Sequence, residues 1–475
     1  MILTILAVLL PLLMGLLISA ALVVRGGHWK EWLLAFFLAP GVGITVSSIL
    51  YFFWFILFQP TTALPAYVAL EGAVWVGIAL ALRGSRRDLI RFNRPHWNIR
   101  IAPASWTLRT WVALGGACLL MLALANFLEG WLLAFFAEPD GAWDAWSIWN
   151  LHARFIAAGP AWQTGFSAAI LPGTHPDYPL LLPGFIARVW VLTGSQSQVV
   201  PALVELGFLL SILGVVMAGV NWVRGWKSAI FAGLFTVPVI ALSLDFQQYA
   251  DMPLAMFLLS ANLMLWMADE LDPKSPGLLV MAGLMLGAAL WTKNEGWAFL
   301  LAAAVVEGFR FLVKKPGILN ALKRWKWIGL GLAPALAAAL VFKFTIAPPN
   351  DLVTSFSLAD LLGKLTNGPN VALIWESLRL HVFSTELLKV AFLPVLAGYV
   401  IFTGWEDKDR KQWAAAWIGL RVLIIGSAYF VIYLLTPYSL SWHIETSMIR
   451  LLAHLLPSLV LLAFLLANSL DSAGD

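Results

Sequence analysis

The sequence predicts an all-α polytopic membrane protein with about 13 transmembrane helices and one long external loop. Three observations carry that expectation. Of 475 residues, 61% are hydrophobic and 12% charged, with a mean hydropathy of +0.84, whereas soluble chains are about 45–50% apolar and about 25% charged. Apolar stretches near the ~20 residues needed to span a bilayer recur along the whole chain. Lysine and arginine concentrate in the short segments between them. Lipid satisfies no backbone polar group, so such stretches are helical.

The first span, about 1–24, lacks a basic leader and a clear cleavage site and is read as retained. Spans at about 33–58 and 66–82 follow, then a loop at 83–109 with Arg83, Arg86, Arg87, Arg91, Arg94, Arg100 and Arg109. Placing this loop in the cytoplasm fixes the orientation of the rest. The next spans are expected at about 110–137, 199–222, 228–244, 252–268, 277–292, 296–313, 327–346, 386–403, 414–435 and 451–468. Alternation then puts 21 of the 30 basic residues inside and six outside, with Lys343, Lys389 and Arg421 in or beside spans. The segment 180–193 is too short to cross, and counting it as a span would turn every later basic loop outward. It is expected to be an interfacial or re-entrant helix, making 138–198 one external element. In the external segment 347–385, LADLLGKL and ALIWESLRLHVF have amphipathic patterns suited to a membrane surface.

Three regions follow. Residues 1–109 form accessory helices and a basic loop, 110–345 a core carrying the loop 138–198, and 346–475 a C-terminal region with external loops 347–385 and 436–450. The net charge of +4 reflects topology and gives no reason to expect nucleic acid. A single cysteine, Cys118, excludes an intrachain disulfide framework and a thiolate metal site. HExxH, GxSxG and Walker motifs are absent.

Polar residues gather on the external side. The loop 138–198 contributes Asp140, Asp144, His152, Arg154, His175 and Asp177, and DFQQYAD contributes Asp245 and Asp251. Span ends add Lys293, Asn294 and Glu295, and the last external loop adds His443, Glu445 and Arg450. Ionisable groups at a membrane boundary are costly and mark a pathway or an active site. Plainer roles stay open for each. Asp144 and Asp251 have N-cap positions, Asp140 precedes Gly141 in turn chemistry, and Lys293 can pair with Glu295. His175 fits a simple loop histidine and Arg450 a snorkelling side chain. Trp143, Trp146 and Trp149 suit either an interfacial belt or stacking on a sugar.

In order along the chain, these motifs resemble the GT-C glycosyltransferases, nearest the bacterial members related to protein mannosyltransferases and aminoarabinose transferases. WDAWSIWNLHA aligns with that family's first external aspartate, Asp144. His175-Pro176-Asp177-Tyr178-Pro179 approximates its HPP-type motif, with two residues intervening. YADMPLAMF carries the second aspartate, Asp251, and Trp291-Thr292-Lys293 an LTK-like motif. WHIETSMIRLLAHLLP is similar to the late arginine motif. The likeness covers roughly 110–460 and departs from the simplest family plan in its three preceding spans.

The resemblance implies an inverting sugar transfer from a polyprenyl-phosphate donor to an acceptor hydroxyl on glycan, lipid or protein. It makes Asp144 the general base and locates the site on the outer face of the cytoplasmic membrane. Such a reaction also needs a cation for the departing phosphate. Arg450 is the first candidate, since guanidinium matches phosphate geometry, and Lys293 the second. Asp251, His175, Asp177, Trp146, Trp149 and His443 are expected to support or bind substrate. No cofactor is required by these motifs, and they leave open a divalent cation. Two other readings stand: a lipid-linked glycan transporter and a non-catalytic envelope-assembly subunit.

Overall fold

A computed structural model describes residues 2–85, 107–167, 173–270, 275–350, 358–366, 368–383, 391–405 and 409–470. Arg86, Arg87, Arg91, Arg94 and Arg100 of the basic loop lie outside these residues, as do Asp351, Lys389 and Lys408. Among the described residues the chain is helical, and its sole extended pairing is an isolated bridge between Trp405 and Ala467.

The N-terminal helices are α1 (Ile2–Val23), α2 (Trp29–Phe58) and α3 (Leu64–Ser85), and α4 (Leu108–Ala137) leads into the loop 138–198. Two short helices lie in that loop, α5 (Asn150–Ala157) and α6 (Leu181–Thr193). The core continues with α7 (Val199–Arg224), α8 (Trp226–Ala241), α9 (Asp251–Glu270), α10 (Pro276–Thr292), α11 (Glu295–Lys314) and α12 (Ile318–Thr345). The expected amphipathic segments form α13 (Leu358–Leu365) and part of α14 (Gly368–Phe383), followed by α15 (Phe392–Thr403), α16 (Asp409–Leu435) and α17 (Leu440–Leu466).

Eleven of the described helices are long and apolar enough to cross a membrane, α8 being counted with the tight turn that prolongs it to Leu244, so the chain is a multi-pass membrane protein. The helices at two expected spans, 277–292 and 386–403, fall below that length. Helix α10 has 17 residues and ends where Lys293 adopts extended backbone and turns inward. Helix α15 has 12 residues, and 384–390 before it lie outside the described residues.

Helix α9 occupies the centre, with every residue from Asp251 to Asp269 buried. Beside it, the close approach of α10 and α12 depends on small residues. At Gly283 of α10 an added Cβ would collide with the Ile328 carbonyl, and at Gly331 of α12 with that of Val280. This is the small-residue packing that brings helices together in lipid.

Helix α6 does not lie on a surface. Its residues Leu181–Trp190 are all buried within the protein, and Gly194 in the left-handed region ends the helix. Arg188 on α6 donates to the Tyr67 hydroxyl at 2.9 Å, the Ala7 carbonyl at 2.8 Å and Glu71 at 2.6 Å. Glu71 also accepts from Ser47 at 2.9 Å. The N-terminal helices are thereby tied to the segment 138–198 by a buried, hydrogen-bonded ion pair.

At the opposite end of α9, Asp269 accepts from Arg310 and Arg324, and Glu307 pairs with Arg324 at 2.6 Å. Helices α9, α11 and α12 are thus clamped at one end by this network, leaving the other end for a separate group of charges.

Candidate active site

The loop 138–198 starts with a turn in which Gly141 has φ +79° and donates to the Glu138 carbonyl. Ala142 donates to the Gln247 carbonyl at 3.3 Å, pinning the loop to the segment before α9. The buried Asn150 and Gln248 complete the joint: Asn150 bonds the Asp140 carbonyl and the Gln248 side chain, and Gln248 bonds the Pro139 carbonyl. Asp144 is therefore presented from a fixed backbone.

Asp144 precedes a single wide turn at Ala145–Trp149, and its side chain caps nothing there. Its carboxylate instead accepts from Arg450 Nη2 at 2.5 Å. Arg450 reaches on to Asp251, with Nε at 3.3 Å and Nη2 at 3.2 Å from Oδ2. The guanidinium also lies over the Tyr249 ring, 4.7 Å from its centre, where cation–π attraction favours it. Snorkelling is not its role.

Asp251 is fully buried at the first position of α9. Besides Arg450, it accepts from Lys293 Nζ at 3.0 Å and His454 Nε2 at 2.9 Å. A carboxylate survives this burial only because every side of it is paired. Because the carboxylate faces Nε2, the His454 proton belongs there, leaving Nδ1 to accept from the Tyr429 hydroxyl at 2.7 Å. A chain Tyr429–His454–Asp251 results.

Lys293 also pairs with Glu295 at 3.1 Å and is 2% exposed. Burial opposes its charge, yet Asp251 and Glu295 hold its pKa above the usual lysine value. Three carboxylates (Asp144, Asp251, Glu295) thus face two permanent cations (Arg450, Lys293). Arg450, whose side chain is 19% exposed, is the more accessible cation.

The HPDYP segment frames the cluster. His175, with φ +48°, stacks on Tyr178 at 4.9 Å, and Trp149 stacks on Tyr178 at 5.4 Å. Burial, then Glu295 and Asp177, push the Tyr178 phenol well above its ordinary pKa. Asp177 accepts from Asn294 at 2.7 Å, Asn350 at 2.8 Å and Lys343 at 3.3 Å. It ties the loop to the turn before α11 and to the end of α12.

The remaining candidates divide by exposure. Trp149 is buried, whereas Trp143 and Trp146 are exposed and meet edge to face at 4.5 Å. His443 is half-buried and its ring packs edge-on against Tyr433 at 5.0 Å. Asp140 lies in the expected turn and also pairs with Arg154 at 2.5 Å.

Sequence reasoning did not single out His454, although its signal was present. His443, Ser447, Arg450 and His454 fall on one face of α17 at helical spacing. Lys343 and Asn350 had no such signal, since their link to Asp177 spans more than 160 residues.

Among the described residues no group of three or more His, Cys, Asp or Glu is arranged to hold a metal ion, and the Asp251 oxygens are occupied by protein donors. No family model, curated protein or solved structure matches this chain.

Proposed function

We propose that the protein is an inverting membrane glycosyltransferase using a polyprenyl-phosphate-linked sugar as donor. The acceptor is a hydroxyl on glycan, lipid or protein, and Asp144 is the general base. One observation carries this reading: a partly exposed carboxylate on an external-type loop shares one guanidinium with a buried carboxylate, at a single end of an apolar bundle.

In the reaction, Asp144 takes the acceptor hydroxyl proton as the acceptor oxygen bonds the sugar's anomeric carbon. The bond from that carbon to phosphate breaks on the opposite side, and polyprenyl phosphate leaves with the electron pair. Arg450 meets the developing phosphate charge, a preorganised interaction of the kind that dominates such catalysis. It turns from Asp144 toward the donor, which frees the base. Asp251 stays behind Arg450 and orients it, and Lys293 and His454 keep Asp251 ionised. Lys293 therefore serves the phosphate through Asp251 and Arg450, while His175, Tyr178 and Trp149 hold the loop in place.

The reading carries a topology of 13 spans in the cytoplasmic membrane, with the Asp144 end outside. The clustering of basic residues supports it, since Arg310 and Arg324 sit at the far end of the helices from Lys293.

Cells carrying wild-type protein, Asp144→Asn or a deletion, at matched expression, test it by mass spectrometry of envelope glycans and polyprenyl-phosphate sugars. Loss of one modification with accumulation of its lipid-linked donor in Asp144→Asn supports transfer. An unchanged profile in Asp144→Asn beside a glycan defect in the deletion removes Asp144 from the mechanism.

A further inference from the structure

An open cavity of about 580 Å³ is lined by Glu138, Asp140, Trp143, Trp146, Asp245 and Tyr249, with Trp143 the residue immediately before Asp144. Its volume falls within the range of about 300–1,000 Å³ common for small-molecule sites. The walls are built before any ligand arrives. Ala142 is bonded to Gln247, Asn150 to Asp140 and Gln248, and Gln248 to both Pro139 and Glu205, so the two segments that form the cavity are locked together.

Its chemistry is one-sided. Glu138 and Asp245 have no ion pair among the described residues, and Arg154 neutralises Asp140 alone. Trp143 and Trp146 present 65% and 42% of their surface, although nearby Trp149 is buried. Tryptophan faces stack on the apolar face of a sugar ring and also attract cations. Tyr249 closes the inner wall, and its ring carries the guanidinium that holds Asp144.

We propose that this cavity binds a hydroxylated ring bearing a protonated amine, the acceptor for the reaction at Asp144. The acceptor role rests on the proposed transferase reading; binding of the ring does not. The rings of Trp143 and Trp146 provide the stacking surface, and Glu138 and Asp245 select the positive charge.

Full-length protein in lipid nanodiscs is titrated calorimetrically with a glucosamine tetramer, with its N-acetylated tetramer, and with spermine as an amine without a ring. The solution is mildly acidic, so the amines are charged. The glucosamine tetramer is expected to bind at least tenfold more tightly than either comparison ligand. Trp143→Ala with Trp146→Ala weakens it at least tenfold, and Glu138→Gln with Asp245→Asn abolishes the preference over the N-acetylated form. These side chains are exposed or on the rim, and unchanged thermal melting confirms that the variants fold.

Equal binding of the two tetramers overturns the proposal, as does spermine binding as tightly as the sugar, a preference that survives the carboxylate changes, or no binding at all. Amine-selective binding with an unchanged glycan profile in Asp144→Asn rejects the transferase reading and leaves the cavity assignment standing. Glycan loss in Asp144→Asn without amine selectivity does the reverse.

Discussion

Arg450 holds Asp144 and Asp251 with the same nitrogen, Nη2, at 2.5 Å and 3.2 Å. Asp251 is enclosed and held by three side chains, whereas Asp144 is 15% exposed and has Arg450 as its ion-pair partner. The asymmetry defines which pairing can open. In the proposed reaction Arg450 stays on Asp251 while its contact with Asp144 gives way to the donor phosphate.

Replacing Arg450 with lysine keeps the charge but loses the fork that spans two carboxylates. Charge-assisted hydrogen bonds contribute about 1.5–3 kcal/mol, so Arg450→Lys is expected to lower transfer at least tenfold. Thermal melting should change less than in Asp251→Asn. Comparing the two melting curves with the glycan profile checks this.

Asp251→Asn leaves Lys293 and Arg450 buried without their shared counter-charge. Removing one partner of a buried pair costs about 3–5 kcal/mol. The expected result is a marked fall in melting temperature, partly restored in Asp251→Asn with Lys293→Met. A double variant no more stable than the single one would show that Lys293 is not balanced chiefly by Asp251.

The Arg188–Glu71 pair makes an analogous prediction far from the chemistry. Arg188→Met alone should destabilise by about 3–5 kcal/mol, whereas Arg188→Met with Glu71→Leu should recover much of the loss. A double-mutant cycle by thermal unfolding reads the coupling. It also asks whether the N-terminal helices hold the loop that carries Asp144.

His152 gives a pH dependence. It is fully buried, stacked on Phe166 at 4.9 Å, and burial followed by nearby His175 lowers its pKa to about 3 despite Asp177. Below its unfolded value near 6.5 the unfolded chain binds a proton that the folded chain refuses, so stability falls as pH falls. The loss is about 1.4 kcal/mol per pH unit between those two values. His152→Phe should flatten the acid side of a melting-temperature profile and leave neutral pH little changed.

Much of the site was legible because its residues break the membrane pattern. Asp144, Asp251, Lys293 and Arg450 are ionisable groups at the ends of apolar stretches, and one end of the bundle brings them together. Their pairing was not legible: Arg450 contacts Asp144 across 306 residues, and no local period encodes such a distance. Helix α6 shows the same limit. With 13 residues it is one of three apolar helices below spanning length among the described residues, and its burial depends on partners from α1, α2 and α3 that its own sequence does not announce. The expected span at 277–292 matches the helix Pro276–Thr292, which ends where Lys293 joins the charged cluster.

The most direct measurement is binding of polyprenyl phosphate to purified wild-type, Asp144→Asn and Arg450→Met proteins in nanodiscs, followed by phosphorus NMR. If Arg450 is shared between the base and the donor phosphate, Asp144→Asn binds at least as tightly as wild type, and Arg450→Met binds at least tenfold more weakly. Equal affinity in all three proteins would contradict a phosphate role for Arg450 and with it the proposed division of labour between Arg450 and Asp144.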